Sequence, residues 1–173
     1  WVGLLQAARY NQARQQGRIR LFESGLRFIQ QADGLHQENM LAGLAMGSAL
    51  PEQWAESQRS VDFFDIKADL EAIFGLTGAA AEFVYVAARH PALHPGQSAK
   101  LLRKNLEVGW IGTLHPELER RLDLAGPILV FELSLQALMD GRVPGFQPLS
   151  KFPAIRRDLA IVLDQEIAFA AVR

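Results

Sequence analysis

The chain contains no cysteine, which removes disulfides, thiolate metal ligands and cysteine nucleophiles together. That absence fits a reducing, cytoplasmic setting. No run reaches the roughly 18 consecutive apolar residues that a membrane span requires. The opening Trp1-Val2-Gly3-Leu4-Leu5 has neither the basic region nor the cleavage site of a secretory signal. A dominant charge is also missing. With 18 basic against 19 acidic residues there is no global field to draw in nucleic acid, so any RNA contact must rest on a local cluster. There is no initiator methionine, and a start inside an apolar run is expected of a piece of a longer polypeptide.

What is present is enough to build a core. Apolar residues make up 49% of the chain against 21% charged, the composition of a folded globular domain. Residues 3–16 are mostly good helix formers and run into Gly17, a natural helix stop. Arg18 to Ile29 alternates in period two and leads to the turn signal Asp33-Gly34, and residues 39–48 supply the returning strand of a hairpin. Ser60 is placed to cap a second helix in which Phe63, Ile66, Leu70 and Ile73 recur at helical spacing. Strands are expected at 82–89, 99–103, 108–114 and 128–133, with short helices at 116–122 and 135–139. Runs of strands interrupted by few helices give an α+β fold, a mostly antiparallel sheet with flanking helices. The breakers between Asp140 and Pro148 place a domain boundary there, followed by a further strand from Asp158 to Leu163.

Five stretches, in this order, resemble one family: Arg18-Ile19-Arg20-Leu21-Phe22-Glu23-Ser24-Gly25, Val61-Asp62-Phe63-Phe64-Asp65-Ile66-Lys67, His94-Pro95-Gly96-Gln97-Ser98-Ala99, Gly112-Thr113-Leu114-His115-Pro116-Glu117, and Ser150-Lys151-Phe152-Pro153-Ala154-Ile155-Arg156-Arg157-Asp158. The family is the beta subunit of bacterial phenylalanyl-tRNA synthetase. The resemblance implies that residues 1–147 form a class II synthetase-like module without the chemistry, and that 148–173 open a ferredoxin-like anticodon-binding domain. It implies an alpha-subunit partner in an alpha2-beta2 heterotetramer, tRNA(Phe) as a further partner, and no membrane. ATP and Mg2+ would serve the whole enzyme but bind elsewhere, leaving no cofactor and no metal for this piece.

Active synthetases of this fold carry a Phe-Arg-x-Glu motif, whose Arg and Glu share one strand face and hold the ATP phosphate and the attacking carboxylate. On the resemblance, the corresponding pair here is Leu21 and Glu23, a pseudo-active site. Leucine offers phosphate no charge-assisted bond, and Arg20 lies on the opposite face. The segment Phe131 to Met139, expected to carry a second arginine, contains neither arginine nor glycine. The groove is therefore expected to hold no arginine placed for a triphosphate, and catalytic residues are expected to be absent. The alternative is an active, ATP-dependent, adenylate-forming ligase domain, and a free-standing RNA-binding module is a third class.

Other constellations have ordinary readings. Asp62, Asp65 and Asp69 could line a Mg2+ site but suit a solvated helix face. His90 and His94 have ligand-like spacing, yet each precedes a proline that favours an extended loop. Phe22, Phe28, Phe63, Phe64 and Phe74 could shape a residual phenylalanine pocket and are read as core. Lys151, Arg156 and Arg157 are the candidate tRNA contact, with a solvated strand edge as the plain reading. The apolar run Leu159 to Leu163 needs a strand partner, expected from a second copy of the chain rather than from the parent sheet.

Overall fold

The computed structural model describes residues 1–143, 145–146, 148, 151–153, 155–167 and 171–172. Pro144 and Gln147 of the boundary stretch, and Ser150 and Ala154 of the last family motif, lie outside them.

One face of a single antiparallel sheet is laid down by the helix that opens the chain. Helix α1 (Val2–Gln12) turns its Leu4, Leu5 and Ala8 inward and hands the chain to the long hairpin of β1 (Arg18–Gln31) and β2 (Gly34–Gly47). Cross-strand pairing runs from Arg18 opposite Gly47 to Gln31 opposite Gly34 without interruption. After helix α2 (Phe63–Leu76) come β3 (Phe83–Ala87), β4 (Leu93–Arg103), β5 (Leu106–Leu114), α3 (Pro116–Arg121), β6 (Ile128–Ser134) and α4 (Leu135–Met139). The sheet order is β1-β2-β6-β5-β4-β3, so β6 enters between the two hairpins. That insertion explains the nearly continuous apolar sequence of β6: it is covered on both faces. Leu129, Phe131 and Leu133 join Ile66, Leu70 and Phe74 of α2. Ile128 and Val130 face the other way and join Leu4, Leu5 and Ala8 of α1.

Helix α2 is capped by Asp62, not by the expected Ser60. The Asp62 carboxylate accepts from the amides of Phe64 (2.8 Å) and Asp65 (3.1 Å), and the Asp65 carboxylate accepts from the Asp62 amide (2.8 Å). This capping box leaves Ser60 two residues outside the helix, where it bridges to Ser48. Asp65 also receives two 2.6 Å bonds from Arg59. Chiefly through that hydrogen bond, its carboxyl is held down to about 2 from an ordinary 3.8. A carboxylate depressed in the folded state contributes stability that is complete above its ordinary value and is lost as pH falls toward 2. Asp65→Asn should therefore remove part of the acid sensitivity, flattening the urea midpoint between about pH 5 and about pH 2.5. An unchanged acid profile would count against this pairing.

Three further expectations need correction. Strand β4 starts at Leu93 rather than Ala99, so His94 lies in a strand and not a loop; Leu93 pairs with Leu114, and the register shifts before Ser98 meets Gly112. That irregular stretch absorbs Pro95, which has no N–H to give the ladder. Residues 158–163 form no strand, and Leu159 and Val162 stand 90% and 100% exposed. They do not add to the parent sheet, and without a neighbouring strand there is no ladder to hold an extended segment. Finally, among the five phenylalanines read as core, Phe74 is buried, but Phe22, Phe28 and Phe64 are 80%, 57% and 72% exposed. Helix α2 covers only the base of the hairpin and leaves the outer half bare.

Candidate functional site

The strand face opposite α2 carries the groove in which the sequence places the pseudo-site. Alternation along β1 sends Ile19, Leu21, Glu23 and Arg27 to this face and Arg20 to the other. Leu21 packs into the apolar cluster beneath α1. Arg20, one residue earlier, forms an ion pair with Asp69 of α2 on the far side. Two residues past Leu21, the Glu23 carboxylate lies against the first turn of α1, so close that a Cβ at Gly3 would sit 3.3 Å from Glu23 Oε2. A negative charge there meets the positive end of the helix dipole.

Beyond Glu23 the groove opens into a cavity of about 210 Å³ lined by Trp1, Glu23, Arg27, Met40, Ala42 and Glu132. It holds one arginine, which the sequence reading had not singled out. Arg27 sits between two carboxylates: Nη1 donates to Glu132 (2.6 Å) and Nη2 to Glu38 (2.6 Å). Its Nε is buried and has no partner among the described residues. Together Glu23, Glu38 and Glu132 outnumber the one guanidinium. A triphosphate entering here would meet net negative charge and would have to break two charge-assisted bonds to reach the cation. The residues present do not fit ATP.

The aromatic side of the groove joins the start of the chain to its middle. Trp1 donates its indole N–H to the Phe131 carbonyl (2.8 Å), and its ring stands 5.3 Å from that of His90, which in turn is 5.0 Å from Trp110. Burial lowers the His90 pKa, against the opposing charges of Glu132 and Glu107. The ring's Nδ1 accepts from the Ala92 amide, as His94 Nδ1 accepts from Gly96 two residues beyond it. Both histidines thus brace the backbone two residues beyond them.

A second arginine does reach the Phe131 to Met139 segment, from a strand the motif reading did not consider. Arg103 of β4 is 5% exposed and donates Nε to Glu82 (3.0 Å), Nη2 to the Asp140 carbonyl (2.5 Å) and Nη1 to the Ala137 carbonyl. All three nitrogens are occupied, so this cation ties β4 to the end of α4, and it forms part of the wall of a cavity of about 310 Å³ shared with Arg27 and Glu38. Glu82 also pairs with Arg142 (2.6 Å) and Lys104 (3.6 Å). Burial would raise the Glu82 pKa, but the Arg103 hydrogen bond and these cations outweigh it and lower it.

The remaining candidates scatter. Asp62 caps α2, Asp65 holds Arg59 and Asp69 holds Arg20, so the three carboxylates are drawn to three different partners. Lys151, Arg156 and Arg157 are exposed and line neither the groove nor its cavity, with Arg156 3.6 Å from Asp158. Sequence reasoning missed Arg27 and Arg103. One signal for Arg27 was its place on the same strand face as Glu23, four residues on.

Comparison with known proteins identifies the family and the fold. Residues 1–135 match the family model described as the phenylalanyl tRNA synthetase beta chain CLM domain. The chain is 54% identical over 172 residues to the phenylalanine–tRNA ligase beta subunit of Pseudomonas syringae pv. tomato, covering 99% of this chain and 22% of that protein. It is 51% identical to the corresponding subunit of Hahella chejuensis, again covering 99% and 22%, and 50% identical to that of Methylococcus capsulatus, covering 98% and 21%. It therefore spans about a fifth of the length of the curated relatives it matches. Among solved structures, a pyrrolysyl tRNA synthetase of Desulfitobacterium hafniense superposes with a TM-score of 0.54 at 19% identity, covering 79% of this chain and 45% of that one. That likeness establishes the synthetase fold of the sheet. With the family match running over residues 1–135 on top of that fold, the chain belongs to the phenylalanyl-tRNA synthetase beta chain family.

Proposed function

We propose that this module is a noncatalytic part of a phenylalanine–tRNA ligase: it keeps the synthetase sheet as a scaffold, joins the alpha subunit, and supports aminoacylation of tRNA(Phe) carried out elsewhere. The observation that carries this reading is that Arg27 is locked between Glu38 and Glu132 in the groove; on the family resemblance, Leu21 stands for the phosphate-binding arginine of active synthetases. ATP and Mg2+ belong, on this reading, to the alpha subunit. The boundary near residue 147 separates the module from the start of an anticodon-binding domain, whose Lys151, Arg156 and Arg157 would touch the RNA backbone. Among the described residues no helix is long and apolar enough to cross a membrane, and a cytoplasmic alpha2-beta2 assembly is the setting the reading requires. Co-expression of the full-length beta chain with its alpha subunit tests it. A stable complex that charges tRNA(Phe), with Glu23→Gln charging at the wild-type rate, is expected. Loss of charging in Glu23→Gln with assembly intact would place chemistry in this groove and contradict the reading.

A further inference from the structure

The chain holds two Asp-Gly pairs, Asp33-Gly34 and Asp140-Gly141, and the fold places them in opposite circumstances. Glycine after aspartate leaves the next main-chain nitrogen open to the aspartate carboxyl, because there is no Cβ to block the approach. Around Asp140-Gly141 the chain is clamped. The Gly141 amide bonds the Met139 carbonyl (2.7 Å), the Asp140 carbonyl accepts from Arg103 (2.5 Å), and a Cβ at Gly141 would meet the Thr77 carbonyl oxygen at 3.2 Å. Asp33-Gly34 lies at the tip of the β1–β2 hairpin, outside both apolar clusters. Gly34 has φ +136 and nothing within 4 Å of the place a Cβ would take, and the Asp33 side chain is 71% exposed. One group does reach that carboxyl. His36, set on β2 opposite Ile29, brings Nε2 to 2.8 Å from Asp33 Oδ1. The Asp140 carboxylate meets instead the side-chain amide of Gln136 (3.5 Å), which has no proton to give up.

We propose that Asp33-Gly34 is a self-modifying site, at which aspartate isomerises to isoaspartate with His36 as the proton donor. Protonated His36 donates through Nε2 to Asp33 Oδ1 and passes its proton to the carboxylate. The Gly34 nitrogen then bonds to Asp33 Cγ, the Cγ–OH bond breaks, and the hydroxyl leaves with the amide proton as water. Proximity makes this attack intramolecular. Water next adds to one of the two carbonyls of the cyclic imide so formed. Cleavage of the bond from nitrogen to Cγ restores aspartate. Cleavage of the bond from nitrogen to the old main-chain carbonyl leaves the chain running through Cβ and Cγ, with that carbonyl now a free carboxyl whose proton returns to His36. One water is lost and one regained, so no other reactant is required. The isomer lengthens the main chain by one carbon where Gln31 pairs with Gly34, so the misfit falls on the outer rungs of the hairpin. Its base, packed against α1 and α2, keeps its register.

The test uses the full-length beta chain, held for weeks at physiological temperature and neutral pH and then digested with trypsin. Cleavage after arginine releases peptides 28–59 and 122–142, each carrying one of the two Asp-Gly pairs. Chromatography with electron-transfer fragmentation distinguishes isoaspartate from aspartate, and the imide shows as the loss of one water. Isoaspartate is expected at residue 33 at least ~tenfold faster than at residue 140, whose clamped backbone must open before it can react. His36→Gln should slow the reaction at residue 33 at least ~fivefold, since the proton must then come from solvent. A histidine that only braced the turn would act the other way, because its loss would loosen the tip and speed the reaction. Equal or faster isomerisation in His36→Gln therefore overturns the inference. So does the absence of isoaspartate and imide at residue 33, or their appearance at residues 33 and 140 in equal amounts.

Discussion

Gly47→Ala is expected to destabilise the protein by about 3–5 kcal/mol, because two independent penalties fall on one atom. Gly47 ends β2 at φ +82, and a Cβ there would lie 1.9 Å from the Gly17 carbonyl oxygen. The obstacle is backbone, so no side-chain rotation relieves it. Gly17 cannot withdraw, since Arg18 begins β1 directly opposite Gly47, and the Gly47 carbonyl accepts from the Val61 amide (2.9 Å). The same crossing point thus ties the end of α1's connector, the base of the hairpin and the approach to α2. For a chain of this size, thermal denaturation should show a midpoint lowered by roughly 10 °C. Alanine at Gly25, where nothing lies within 4 Å of an added Cβ, should change it little. Equal melting of the two variants would mean the close approach is not there.

Arg103→Met should cost about 3–5 kcal/mol, the usual consequence of removing one partner from a buried, hydrogen-bonded ion pair. The methionine fills much of the volume but leaves the carbonyls of Ala137 and Asp140 without these donors and Glu82 without its buried cation. Arg103→Lys is expected to recover little, because a single ammonium does not span a carboxylate and two carbonyls in different directions. The guanidinium also lies 5.1 Å from the Phe83 ring, a contact that lysine reproduces poorly. Urea unfolding reads the loss, and NMR titration adds a second readout: the Glu82 pKa, now depressed, should rise in both variants. A Lys variant with wild-type stability would show that Arg103 acts as a charge and not as a three-way tie.

These two sites also show what the sequence could and could not reveal. The hairpin was readable because period-two alternation from Arg18 onward, ended by Asp33-Gly34, is a local signal, and the two strands do pair antiparallel around that turn. The opposite facing of Leu21 and Arg20 followed from the same rule. Arg103 was not readable, since its partners Ala137 and Asp140 lie 34 and 37 residues away and are carbonyls, which no residue type advertises. Arg27 was half readable: Glu38 faces it across the turn, but Glu132 is 105 residues distant and arrives only because β6 inserts beside β2. The exposed Phe22 and Phe28 were misread for a related reason. Alternation predicts which face a side chain takes, and the reach of α2 decides whether that face is covered. Asp62 displaced Ser60 as cap because it has Asp65 three residues on to complete the box.

The central claim is that the groove around Leu21, Glu23 and Arg27 has lost the ability to hold a nucleotide. Calorimetric titration of the full-length beta chain, free of its alpha subunit, with ATP, Mg2+ and phenylalanine tests it most directly. The account predicts no saturable heat up to about 1 mM ATP. Binding in the micromolar range, abolished by Arg27→Gln, would show that Arg27 leaves Glu38 and Glu132 to clamp the triphosphate, and would contradict the account.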